Sequence, residues 1–135
     1  MNVPQEIKEK LGFYQNIVLL EIEHLKYTDH RVFSEPFTEQ RAQTLSENKE
    51  LAEKIDAFVS RFGRLQDTLG DKLLPTLLSA MNERQKAFID NLDKAEKLGL
   101  LESVDSWVML RNLRNKMVHE YIKDYAILAS ALQTA

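Results

Sequence analysis

The chain has 135 residues, is 44% hydrophobic and 29% charged, and carries a formal charge of -3 with no cysteine. That length suits one domain, spanning 1–135, able to remove roughly two-thirds of its unfolded surface from water. The missing cysteines exclude a disulfide scaffold and a thiolate nucleophile. The acidic balance argues against a general nucleic-acid coat, so any polyanion must be met by a local patch of Lys and Arg. No apolar run approaches the roughly 20 residues of a membrane span, and the N-terminal MNVPQEIKEK lacks the apolar centre of a signal peptide. The expectation is a cytoplasmic protein with no membrane segment.

Four glycines and three prolines are few for a turn-rich fold, which favours helices over strands. Pro4 suits a first helical turn, and Ile7, Leu11, Tyr14, Val18, Ile22 and Leu25 recur at helical spacing. This first helix is expected to reach about Tyr27. The stretch TDHRVFSEPFT reads as the main loop, with Thr38 capping a second helix. Leu45, Leu51, Ile55, Phe58, Phe62, Leu65 and Leu69 keep the helical spacing, and Gly63, Gly70 and Pro75 mark kinks, with a break expected near Gly70. Asn82 and Gln85 have the spacing of a capping box opening a helix that runs through Phe88, Leu92 and Leu98, and Gly99 would end it as a left-handed cap. Ser103 or Asp105 can cap the next. The last helices run from Trp107 to about Tyr121 and from Asp124 to about Leu132, continuous or bent around Lys123. The fold class is all-α: an up-and-down bundle of about five helices.

One segment, LRNLRNKMVHEY from Leu110 to Tyr121, departs from plain packing. Advancing about 100° per residue from Trp107, the apolar arc holds Leu113, Met117, Leu110, Tyr121, Trp107 and Val118, and Arg114 falls between Tyr121 and Trp107. A buried guanidinium without a partner is costly, so Arg114 must snorkel to the rim or meet an acidic residue such as Glu21, Glu23 or Asp67. Asn112, Asn115 and His119 cluster on another arc, with Asn115 one turn before His119 and able to orient its imidazole. Arg114 and His119 stand about 140° apart on the helix, so one chain cannot close both on a small ligand. A two-fold dimer through the C-terminal helices would set the arginine of one copy near the histidine of the other.

The run Arg114, Asn115, three residues, His119, Glu120, Tyr121 resembles the R-N-x-x-x-H signature of HEPN domains, in the R-x4-H-x-Y form of HepT-like toxins of the HEPN/MNT toxin–antitoxin class. HEPN domains are small all-α bundles with this signature near the chain end, so length, helix order and motif position agree over most of the sequence. The resemblance implies a dimeric, metal-independent ribonuclease paired with a small nucleotidyltransferase antitoxin that adenylylates the motif tyrosine, here Tyr121. No cofactor is implied.

The side chains suit that chemistry. Attack of a 2′-hydroxyl on the adjacent phosphate needs a group titrating near neutrality, which His119 supplies, and fixed positive charge at phosphorus, which Arg114 supplies. Asn115 would hold the histidine or touch substrate. Arg111 and Lys116 add local charge for RNA, with no acidic residue between Ser106 and Met117. A nucleotide on Tyr121 would bring phosphate against Arg114 and block the groove. The alternative is a noncatalytic nucleotide- or substrate-binding subunit of a nucleotidyltransferase pair, using the same residues. His24 and His30 lack the spacing and company of a zinc site, so no metal is expected. The arginines of RFGRLQDTLG, Arg61 to Gly70, either line the same groove or form ion pairs on the helix surface.

Overall fold

A computed structural model describes residues 3–83, 87–119 and 125–134. Its helices are α1 (Gln5–Val32), α2 (Glu39–Gln43), α3 (Lys49–Asp67), α4 (Leu74–Ala80), α5 (Phe88–Lys97), α6 (Val104–His119) and α7 (Tyr125–Thr134). A π-helical turn, Thr68–Leu73, joins α3 to α4 without a break. The described residues include no strand, so the chain is all-α as expected. Taking α3 and α4 as one rod, and α2 as a short stub, leaves about five helices of substantial length.

The chain packs as two compact units: Met1–Ile22 with Arg64–Trp107, and Glu23–Gly63 with Val108–Ala135. Helices α1, α3 and α6 supply residues to both. In the first unit Val18, Leu78, Leu92 and Ala95 are buried. The π-helical turn belongs here and corrects the break expected near Gly70. Pro75 lacks an N–H and its ring would collide with the carbonyl four residues back. The turn widens just ahead of it, with the Leu74 N–H reaching back to the Leu69 carbonyl, so the helix swells and continues. Gly70 is buried in that turn because a Cβ there would lie 2.9 Å from Phe88 Cε2 and 3.0 Å from Trp107 Cζ2.

The second unit buries Val32, Phe37, Ile55, Phe58, Met117, Leu128 and Leu132 in one cluster. Phe33 meets Phe58 edge-on at 5.2 Å, and Phe58 stacks on Phe62 at 6.0 Å. Helix α1 runs past Tyr27 to Val32, so the first five residues of the expected loop are helical. Its end is held by Arg41, whose Nη1 donates to the carbonyls of Val32 and, at 2.9 Å, Glu35. The expected second helix is two. Thr38 caps α2 as predicted, its Oγ1 accepting from the Arg41 N–H at 3.1 Å. A turn follows, and Asn48 starts α3 afresh by accepting from the Leu51 N–H at 3.0 Å. Asparagine offers the backbone an alternative to helix at such points, which the periodicity of Leu45 and Leu51 conceals.

Asn82 does not open a helix. It adopts φ 59° and closes α4: its N–H donates to Ser79 O at 3.0 Å, and the Glu83 N–H donates to Leu78 O at 2.8 Å. Gln85 lies outside the described residues, and α5 begins at Phe88. Gly99, at φ 76°, ends α5 as expected, with the Leu100 N–H donating to Ala95 O at 2.9 Å. A left-handed residue costs an L side chain about 1–2 kcal/mol unless it is Gly or, less often, Asn or Asp. Asn82→Ala should therefore lower unfolding stability by about 1 kcal/mol and Asn82→Gly should not, as read by urea titration. If the two variants unfold alike, Asn82 is not the cap that ends α4.

Candidate functional site

Helix α6 begins where Ser103 Oγ accepts from the Ser106 N–H at 3.2 Å, three residues before the expected start at Trp107. From Val108 onward it belongs to the second unit. Leu113 and Met117 are buried, Leu110, Arg111 and Arg114 are half-buried, and Met109, Asn112, Asn115 and Lys116 are exposed. The two arcs expected from the helical angles are therefore real: Arg114 lies with the packed side and Asn115 with the open side. His119 is the last helical residue of α6, and its register falls between those of Asn112 and Asn115. Its side chain, and the whole of Tyr121, lie outside the described residues.

Arg114 rests on a residue with no side chain. A Cβ built on Gly63 of α3 would stand 2.7 Å from Arg114 Nε, 3.1 Å from Cζ and 3.2 Å from Cδ. Gly63 is itself buried, and the end of the Arg114 side chain passes close over the α3 backbone at that point. A glycine inside a helix costs roughly 1 kcal/mol relative to alanine, and α3 continues through Gly63 to Asp67. Helical periodicity gives no hint of this seat at Gly63. The available signal was a glycine that interrupts no apolar periodicity, which points to close approach by another group. Within the first unit Glu21 accepts from Thr68 Oγ1 at 2.7 Å.

In the arginine-bearing stretch of α3, Arg61 reaches across to α1: its Nη1 donates to the His24 carbonyl at 3.0 Å and to Thr28 Oγ1. Thr28 is buried and itself donates to the same carbonyl at 3.3 Å. The fork is thus held in a fixed pose by α1. His24 and His30 are exposed, and among the described residues no group of three or more His, Cys, Asp or Glu is placed to hold a metal ion. No helix among those residues is long and apolar enough to cross a membrane.

Comparison with known proteins gave no match to any family model, curated protein or solved structure.

The close seat makes a prediction with a change of sign. In the native background Gly63→Ala should destabilise, because overpacking of this kind typically costs 1–3 kcal/mol. With Arg114→Ala also present the clash disappears, and the same change should stabilise by up to about 1 kcal/mol through helix propensity. Denaturant unfolding of the four proteins in the cycle reads the coupling. Additive effects would mean that Gly63 is not there to admit the arginine.

Proposed function

We propose that the chain is a HEPN-type endoribonuclease toxin that works without metal as a homodimer joined through its C-terminal helices, and that it is neutralised by a small nucleotidyltransferase partner in the cytoplasm. The observation that carries this reading is the pairing of two arcs on α6: Arg114 seated half-buried on α3, and Asn115 exposed on the arc that the register of His119 shares.

In the proposed reaction the 2′-oxygen of one nucleotide forms a bond to the adjacent phosphorus, and the bond from phosphorus to the 5′-oxygen breaks. The products are a 2′,3′-cyclic phosphate and a 5′-hydroxyl. One imidazole takes the 2′-hydroxyl proton and the leaving 5′-oxygen gains a proton. A two-fold dimer offers two copies of His119, so base and acid can be different residues. Arg114 stabilises the extra negative charge on the phosphorane oxygens, and its confinement against Gly63 means little reorganisation is needed when that charge develops. Asn115 would orient His119 from one turn away. Arg111 and Lys116 would meet flanking phosphates, and adenylylation of Tyr121 would place a phosphate where the arginine acts.

The noncatalytic subunit reading uses the same side chains to hold a nucleotide for the partner enzyme. It is separated by activity. Purified protein incubated with RNA in EDTA should cleave it and leave cyclic phosphate ends. His119→Ala should lose about 10²- to 10⁴-fold of that rate, the usual contribution of general acid–base catalysis. Arg114→Lys should also fall, because an ammonium cannot grip two oxygens as a fork does. Equal background cleavage by native and His119→Ala protein would remove the enzyme reading. A sedimentation experiment showing only monomer at working concentrations would remove the shared site.

A further inference from the structure

A second concave site lies within the second unit, between the C-terminal end of α1 and the middle of α3. It is an open groove of about 320 Å³, and its walls include Tyr27 and Arg31 from α1 and Glu53, Lys54 and Arg61 from α3. That volume falls at the lower end of the range for small-molecule sites. Tyr27 is 62% exposed, an unusual position for a large aromatic ring, and Arg31 Cζ stands 5.5 Å from the ring centroid. Arg61 is anchored by the His24 carbonyl and Thr28 Oγ1, so one cation of the groove has its position fixed before anything binds. The charge of Lys54 is shared with Glu50 at 3.3 Å.

We propose that this groove binds one nucleotide unit, with the base stacked on Tyr27 and its phosphate between Arg31 and Arg61. An exposed aromatic ring beside two guanidinium groups presents both contacts that single-stranded nucleic acid uses: a π-face that accepts any base and a cationic track for the backbone. Glu53 opposes phosphate but can accept a hydrogen bond from a ribose hydroxyl or a base amine. Such a ligand is free nucleotide or one residue of an RNA strand. The second source deepens the ribonuclease reading and rests on it, because the groove would then hold substrate away from the bond being cut. An acidic peptide could use the cations but has no need of the ring.

Binding can be measured apart from cleavage with a probe that cannot be cut. A fluorescent 2′-O-methyl ribonucleotide hexamer lacks the attacking hydroxyl, and adenosine monophosphate serves as the free-nucleotide probe. Native protein should bind at least one of them. Tyr27→Ala should weaken binding about 5- to 150-fold, the equivalent of one stacked base, while Tyr27→Phe should retain it. Arg31→Ala should weaken binding and, for the hexamer, reduce the slope of log K against log salt by about 1. Glu53→Gln should tighten it. Far-ultraviolet circular dichroism should be unchanged, since Tyr27 and Arg31 are exposed. Hexamer binding alone assigns a strand and nucleotide binding alone assigns a free ligand; both agree with the proposal. It is overturned if neither probe binds, if Tyr27→Ala binds as well as native protein, or if a short polyglutamate peptide binds with the same dependence on Arg31. RNA cleavage that is absent while Tyr27-dependent binding persists would count against the ribonuclease and leave the groove standing.

Discussion

An arginine side chain can pass this close to a helix only where that helix has no side chain in the way. The contact between Arg114 and Gly63 joins α6 to α3 at that point, in the unit whose core contains Ile55, Phe58, Leu113 and Met117. The constraint is severe in both directions. A larger residue at 63 would push Nε off its seat, and a shorter one at 114 would leave an empty strip over the α3 backbone. Arg114 is half-buried there, so its charge sits at the edge of the packed side of α6 and not out in solvent.

The same economy recurs in the arginines of this unit. Arg41 holds the end of α1 through the Val32 carbonyl, and Arg61 holds the same helix nearer its middle through His24 O and Thr28. Each of them satisfies helix backbone or hydroxyl oxygen with a planar, multiply donating group, a task for which lysine is poorly shaped. The consequence is that several cations in a chain of net charge -3 are held in place by α1 and α3 instead of being spread in solvent. Fixed cations lose less freedom on meeting an anion, which is the physical basis for reading both the α6 face and the α1–α3 groove as sites for phosphate-bearing ligands.

Turns in this chain are governed by single polar residues more than by glycine and proline. Asn48 restarts a helix within an apolar pattern that never changes period, and Asn82 closes one in the left-handed region. Pro75, the strongest breaker by residue type, ends nothing, because the π-helical turn before it relieves the clash at the cost of a wider ring. The sequence alone could not rank these outcomes. Asparagine serves equally as N-cap and left-handed C-cap, and which role it takes depends on the packing of the helix on either side of it.

From residue pattern alone the chain is legible as all-α, with Thr38, Gly99 and Ser103 at helix ends, and with Arg114 and Asn115 on different arcs of one helix. These follow from local rules: the 3.6-residue period, the reach of a hydroxyl to a free N–H, and the freedom of glycine at positive φ. Tertiary structure decided what Arg114 rests on, why Gly63 is a glycine, and that Arg61 is bound to α1 instead of to a neighbouring carboxylate. It also brought Tyr27 and Arg31 opposite Lys54 and Arg61. Those pairings join residues more than twenty positions apart, and helical periodicity says which way a side chain faces but not which helix it meets.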